Sequence, residues 1–341
     1  MPKFQSLTRI TLRFFAALLG VGLLGYLVFR TGPGVIWTQV QAIGWGLALI
    51  IILGGFSQLI RTCAWRQALM CDIGRLTWSR SFGAQLASDA CGQIGLAGKL
   101  IGEGIKVSLL TPAVPLDNGI SSCVIDGGMH LLTASVVAVL GISIALLHYP
   151  LSGQWRVYAL LLAALLIALV VLAAVAVASR WRLMGNAARA IGRLPQLHSW
   201  IIGKEPTIDS AEHNLLTFRS EAPAAFWASL IFSLLWHALA VLEVYLILLF
   251  MRAKITLVGA FAMEGLTKVI NLVGALNPGN LGTYEGGNML IANMFGVTAT
   301  TGLTLALCRR ARSVFWAAVG AICMTVMKRT NDQGFCHVQE N

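Results

Sequence analysis

Asp89, Lys99, Glu103 and Lys106 interrupt one glycine-rich apolar stretch of this chain, and Glu264, Lys268, Asn277 and Glu285 interrupt a second. Asp126 and Glu243 lie in further apolar segments, as do Arg309, Arg310 and Arg312. An ionisable side chain at the centre of a membrane helix costs roughly 2.5–3.5 kcal/mol on insertion scales, so this many require a reason. Glu103 and Lys106 are three residues apart and Glu264 and Lys268 four apart, so each pair shares a helix face. Two chemistries fit. In one, the pairs are local ion pairs that fix the fold. In the other they line a polar cavity, where Glu103 and Glu285 position cationic or hydroxyl groups and Lys106, Lys268, Arg309 and Arg310 neutralise phosphate. Guanidinium groups stay charged in any environment and grip phosphate bidentately. The plainer reading of Arg309 and Arg310 is snorkelling of long side chains to the interface.

The two stretches resemble one another. Gly98-Lys99-Leu100-Ile101-Gly102-Glu103-Gly104 matches Gly279-Asn280-Leu281-Gly282-Thr283-Tyr284-Glu285-Gly286 with one extra residue before the Glu. Further on, Val114, Gly119 and Asp126 keep the mutual spacing of Val297, Gly302 and Arg309. Glycine-broken apolar segments at corresponding places in two halves are the signature of a transporter built from internal repeats.

The elements that must carry these residues are membrane helices. With 57% hydrophobic and 11% charged residues over 341 positions, the chain is expected to be an all-α integral membrane protein. Apolar segments at 12–29, 43–61, 119–147, 157–179, 224–250 and 302–327 approach the roughly 20 residues that cross a ~30 Å hydrocarbon core. The first has no cleavage site after it and is read as a span rather than a signal peptide. The net charge of +11 belongs to loops rather than to nucleic-acid binding. The seven Cys show no metal-ligand spacing, and no cofactor, P-loop, DxD or HExxH motif is present. His130 and His237 are expected to be satisfied polar groups in the bundle, with proton carriage as the alternative. Most Trp, including Trp37, Trp45, Trp65, Trp78 and Trp227, fall near segment ends as interfacial anchors do.

Lysine and arginine positions set the expected topology. Lys3, Arg9 and Arg13 put the N-terminus in the cytoplasm, and Arg61, Arg66, Arg75 and Arg80 assign a second loop there. Three apolar segments then precede the basic stretch at 180–222, one too many for spans. The segment 82–110 is therefore expected to enter and leave on one face, as a re-entrant hairpin shielded by protein. The second half repeats the order with a hairpin at 257–296 broken around Asn277-Pro278-Gly279-Asn280. This gives two inverted repeats, 1–150 and 151–330, each of three spans and one hairpin, with a cytoplasmic tail at 331–341. Arg252 and Lys254 fall on the outer side in this scheme. Within 180–222, an amphipathic helix over about 180–197 is expected to lie on anionic inner-leaflet lipid along 180–200.

At these motifs the chain resembles the transmembrane, flippase-like domain of the lysylphosphatidylglycerol synthase family. The resemblance is carried by Gly102-Glu103-Gly104-Ile105-Lys106, by Asn277-Pro278-Gly279-Asn280-Leu281-Gly282-Thr283-Tyr284-Glu285-Gly286, and by Leu307-Cys308-Arg309-Arg310-Ala311-Arg312. It departs from the family pattern at Ala97-Gly98, where the family has a Pro, and before Asp126, where a Glu-Arg pair is missing. The resemblance implies a multi-pass protein of the bacterial inner membrane, termini cytoplasmic, that moves a lipid with a polar or phosphate head group between leaflets. It also implies enzymes of lipid biosynthesis as partners, and stand-alone members include proteins associated with hopanoid biosynthesis. The aminoacyl-transferring domain of the full synthases is absent, so no catalysis is expected. The other readings are a non-transporting lipid-binding subunit and an integral transferase acting on a lipid carrier.

Overall fold

The computed structural model describes positions 29, 34, 37, 38 and 41 and most of 43–339, with breaks at 71–73, 75, 93–95, 111–112, 149–152, 180–184, 187–204, 276 and 278–279. Almost all of the expected span at 12–29 and of the interfacial stretch at 180–200 lies outside the described residues. Among those described there are ten helices and no strand: α1 (Gly46–Gln67), α2 (Trp78–Gly92), α3 (Leu96–Leu110), α4 (Leu116–His148), α5 (Gly153–Ala178), α6 (Glu205–Glu221), α7 (Pro223–Phe250), α8 (Leu257–Gly274), α9 (Thr283–Met294) and α10 (Ala299–Gln339). The chain is thus an all-α membrane protein. Helices α1, α4, α7, α8 and the Ala299–Met327 part of α10 are each long and apolar enough to cross a bilayer. Leu160, Leu161, Leu165, Leu169 and Leu172 on α5 are exposed, as a lipid-facing surface requires.

The short helices come in adjacent pairs. At 1.5 Å per residue, the 15 residues of α2 and of α3 reach only about 22 Å and the 12 of α9 about 18 Å, less than the bilayer core. Helix α8, with 18 residues, is the exception and is a candidate span in its own right. The second pair breaks between Gly274 and Thr283, around the expected Asn277-Asn280. In the first pair Gly98 to Gly104 is continuous helix within α3, not broken backbone. Its glycine serves packing instead: a Cβ on Gly102 would run into the Ser88 carbonyl of α2.

Packing repeats under exchange of the halves. Helix α4 packs on α8, and α10 packs on α2; α1 packs on α7, the pairs α2–α3 and α8–α9 pack within themselves, and α3–α4 answers α9–α10. The match extends to single residues. Setting α2 on α8 at their first residues, Trp78 and Leu257, puts Leu86 opposite Gly265, Gln85 opposite Glu264 and Asp89 opposite Lys268. Setting Val114 on Val297 puts Val137 opposite Gly320. A Cβ on Gly265 would lie 2.7 Å from the Val137 carbonyl oxygen, and a Cβ on Gly320 would meet the Leu86 carbonyl. One backbone contact therefore occurs twice, with glycine on the other partner each time.

The α4–α8 contact is also tight at Gly141, whose Cβ would lie 2.8 Å from the Gly265 Cα. The obstacles are backbone atoms, which cannot turn aside as side chains do. Gly265→Val is therefore expected to cost about 3 kcal/mol. It should lower the melting temperature in detergent; an unchanged melt would mean that the helices part freely.

Several loop assignments shift because helices run further than their apolar cores. Arg61 and Arg66 belong to α1, not to a loop. Arg66 is buried, donates to the Leu76 carbonyl at 3.1 Å and to Ser81 Oγ, and lies over the Trp78 ring at 4.3 Å. Trp65 is fully buried rather than interfacial, with Nε1 donating to Ser122 Oγ at 3.1 Å. Trp37, Trp45, Trp78 and Trp227 are exposed, as anchors should be. Helix α6, inside the 180–222 segment, packs on α4 through buried Phe218, with Asn214 Nδ2 donating to Asn118 Oδ1 at 2.9 Å. Helix α10 continues through 331–339, the expected tail.

Candidate functional site

Four helices bring charge together in the second half. On α10, Arg309 and Arg312 are three residues apart and face α7 and α8. Arg309 donates from Nε to Glu243 Oε2 at 3.2 Å and from Nη1 to Glu264 Oε2 at 2.7 Å. Arg312 Nε lies 3.1 Å from Glu243 Oε1, and Lys268 Nζ lies 2.6 Å from Glu264 Oε1. The result is an alternating chain, Arg312, Glu243, Arg309, Glu264, Lys268. Glu243 and Glu264 are buried almost completely, a state that two carboxylates tolerate only when cations face them.

Sequence makes the break between α8 and α9 a fixed turn. Asn277 Nδ2 donates to the Leu281 carbonyl at 2.7 Å and to Thr283 Oγ1 at 3.3 Å. Asn280 and Gly282 take positive φ angles of 52° and 74°, which Asn and Gly accept most readily. Glu285, fully buried in the first turn of α9, accepts from the Gly282 N–H at 2.7 Å, satisfying one orphan donor of the helix start. Its other oxygen accepts from Arg310 Nε at 2.6 Å. Glu285 thus ties the turn to α10.

The first half holds a second cluster. Arg61 Nη1 donates to Asp89 Oδ1 at 2.7 Å, and Gln85 Nε2 donates to the same oxygen at 3.4 Å. Lys106, fully buried, lies 2.6 Å from Glu103 Oε2, donates to Gln85 Oε1 at 3.4 Å and sits 4.7 Å from the Trp65 ring centre. Asp126 is buried beside Lys106 and Arg61. Lys106–Glu103, Lys268–Glu264 and Arg312–Glu243 are ion pairs.

Between the clusters lies Trp236 of α7. Its ring is 5.0 Å from Lys268 Nζ and 5.9 Å from the Arg61 guanidinium carbon, and it meets His130 edge-on at 4.8 Å. His237 Nε2 and Thr133 Oγ1 share a hydrogen bond of 3.1 Å. Trp236 borders two adjoining polar spaces. The larger, about 260 Å³, is walled by Lys268, Arg309, Arg310 and Arg312, with Glu264, Asn280 and Tyr284 also at its edge. The smaller, about 60 Å³, is bordered by Gln58, Arg61 and Asp89. The two share Ser57, Trp236, Arg312 and Ser313.

Of the residues singled out from sequence, Glu264, Lys268, Arg309 and Arg310 line the larger space and Asp89 the smaller. Glu285 stands behind Arg310, and Asn277 shapes the turn. Glu103, Lys106 and Asp126 line neither space. Trp236, Gln58 and Ser57 were missed: a Trp in the interior of an apolar span, away from its ends, is the one signal that could have found the first. The larger wall carries four cations against one carboxylate, with Glu243 and Glu285 set back from the opening. With those two counted, four cations face three carboxylates, a net charge of +1. On α7's other side, Leu234, His237, Val241 and Leu242 join residues of α4 and α8 around an open apolar groove of about 640 Å³.

The family model described as the lysylphosphatidylglycerol synthase TM region matches residues 13–320. Neither the curated proteins nor the solved structures contain a match.

Proposed function

The chain belongs to the lysylphosphatidylglycerol synthase TM-region family, a family of lipid-related membrane proteins, and from that premise we propose that it moves a lipid with an anionic head group across the bacterial inner membrane. The observation that carries the proposal is the cation-walled space of about 260 Å³ inside the bundle, formed by α1, α7, α8, α9 and α10. A positive wall between packed helices suits a phosphate that must leave water, whereas acyl chains can stay in the bilayer or in the apolar groove beside α7.

In this reading the two halves, 1–150 and 151–330, are inverted repeats, and the pairs α2–α3 and α8–α9 are re-entrant from opposite faces. The exchange symmetry of the packing and the twofold occurrence of the glycine–carbonyl contact support this. The first cluster then holds its hairpin in place, and the second binds the head group. The termini are cytoplasmic, as the basic residues at the N-terminus and at Lys328-Arg329 favour. The reading includes no covalent step.

The test is leaflet exchange in proteoliposomes with tail-labelled phospholipids. Exchange faster than in protein-free vesicles is expected. Lipid bound but not exchanged turns the assignment to a lipid-binding subunit, and chemical conversion of the lipid turns it to a transferase. In the same vesicles, cysteines placed at Ala97 and Thr283 are expected to react with impermeant reagent from opposite faces; reaction from one face overturns the inverted repeat.

A further inference from the structure

We infer that the apolar groove beside α7 is a second lipid site, which holds an acyl chain of an anionic phospholipid while Arg252 and Lys254 take its phosphate. The inference goes beyond the transport proposal and does not depend on it.

The groove, about 640 Å³, runs between α4, α7 and the first turns of α8. Every residue lining it except His237 is apolar, and His237 turns its Nε2 to Thr133 Oγ1. Val136, Leu140, Leu234 and Leu242 are exposed along it, so it opens on the lipid-facing surface of the bundle. Charge decides what fills it. Leu257 and Val258, which open α8, line the groove, and Lys254 precedes Leu257 by three residues and Arg252 by five. At most about 3.6 Å per residue, the Lys254 backbone lies within about 11 Å of that wall. The turn carrying both cations is fixed: Arg252 takes a φ of 55°, and the Arg252 and Ala253 N–H groups donate to the Leu249 and Leu248 carbonyls at 2.9 Å. Arg252 and Lys254 are exposed, and no carboxylate pairs with either.

None is at hand to do so. Helices α4 and α7 end and α8 begins at this end of the bundle, where Ile43, Ala145, Ala253 and Phe295 share one apolar cluster. The sequence around each of these points lacks acids: 1–71, 127–204, 244–263 and 286–331 contain no Asp or Glu. The first-turn N–H groups of Leu257 and Val258, without partners among the described residues, add the positive pole of α8 to the two cations. Arg252 and Lys254 also fall on the outer side of the expected topology, against the bias of basic residues to the cytoplasm. A free anion would leave the groove to another occupant, and a zwitterionic lipid would bring no net charge. An anionic phospholipid answers both the apolar wall and the unpaired cations.

The test reconstitutes the full-length protein into phosphatidylcholine vesicles holding a trace of phosphatidylglycerol with a diazirine in one acyl chain. A parallel sample carries the same photolabel on phosphatidylcholine, and crosslinked peptides are mapped by mass spectrometry. Insertion at 136–144 and 234–242 is expected to be about tenfold greater from phosphatidylglycerol than from phosphatidylcholine. Arg252→Asn with Lys254→Gln is expected to bring the two within about twofold; Asn accepts the positive φ at 252. Ala238→Phe, which fills the groove and keeps both cations, is expected to lower insertion from either lipid. All three positions are exposed, so these substitutions leave the packed core alone. Equal labelling by the two lipids, or an undiminished preference in the double variant, overturns the site, as does unchanged insertion in Ala238→Phe. Preferential labelling without leaflet exchange leaves the site standing and overturns only the transport proposal.

Discussion

Arg309→Ala is expected to remove about 3–5 kcal/mol of folding stability, as two hydrogen bonds between charged groups contribute roughly 1.5–3 kcal/mol each. The substitution removes two charge-assisted hydrogen bonds at once, because Arg309 bonds Glu243 and Glu264 from different nitrogens of one guanidinium. Both carboxylates are essentially without solvent. Lys268 and Arg312 stay in place but each faces only one of them. Denaturant titration in detergent micelles, followed by helix content, measures the loss. Arg309→Lys should fall between, since a single ammonium cannot reproduce the two-pronged contact. Adding Glu264→Gln to Arg309→Ala should deepen the loss, because Lys268 then loses its carboxylate. An Arg309→Ala protein as stable as the original would show that water reaches these carboxylates and that the alternating chain is not holding α7, α8 and α10 together.

Glu285→Gln is expected to slow leaflet exchange about tenfold or more, while Glu103→Gln leaves it within about threefold; charge-assisted hydrogen bonds contribute roughly 1.5–3 kcal/mol each. The sequence motif treats these glutamates as twins, and the structure separates them. Glu285 holds the start of α9 and aims Arg310 at the cation-walled space. Glu103 pairs with Lys106 on the same helix, away from both spaces, so its loss should appear as reduced stability of the α2–α3 pair. Exchange rates and melting temperatures measured on the same preparations separate the two effects. Equal slowing in both variants would restore a shared role for the two glutamates in the head-group site.

The difference between the two glutamates marks how far sequence carries. Helix pairing at three- and four-residue spacing was visible in advance, and Glu103–Lys106 and Glu264–Lys268 are indeed ion pairs. The partners that join separate helices were not: Arg61 with Asp89, Arg309 with Glu243 and Glu264, Arg310 with Glu285. Arg61 and Arg66 read as loop charges because hydropathy falls at that point, yet the helix runs on to Gln67 and sets them against polar partners. Gly98 to Gly104 looked like broken backbone because glycine is the usual mark of a break. In α3 it instead lets α2 approach closely, a use of glycine that leaves the same sequence trace.

The sequence by itself determined that the chain is a bundle of membrane helices, that two glycine-marked segments correspond, and that its buried charges must be answered by others. Composition and local spacing are enough for that, because the bilayer penalises exposed backbone and lone charge wherever they fall. Only the tertiary structure decided which charges answer which, and which four cations wall a common space around Trp236. Those contacts join residues from α1, α7, α8, α9 and α10, far apart along the chain, and their geometry depends on how closely helices approach. That approach is set by backbone contacts such as Gly265 on Val137, which no local pattern encodes.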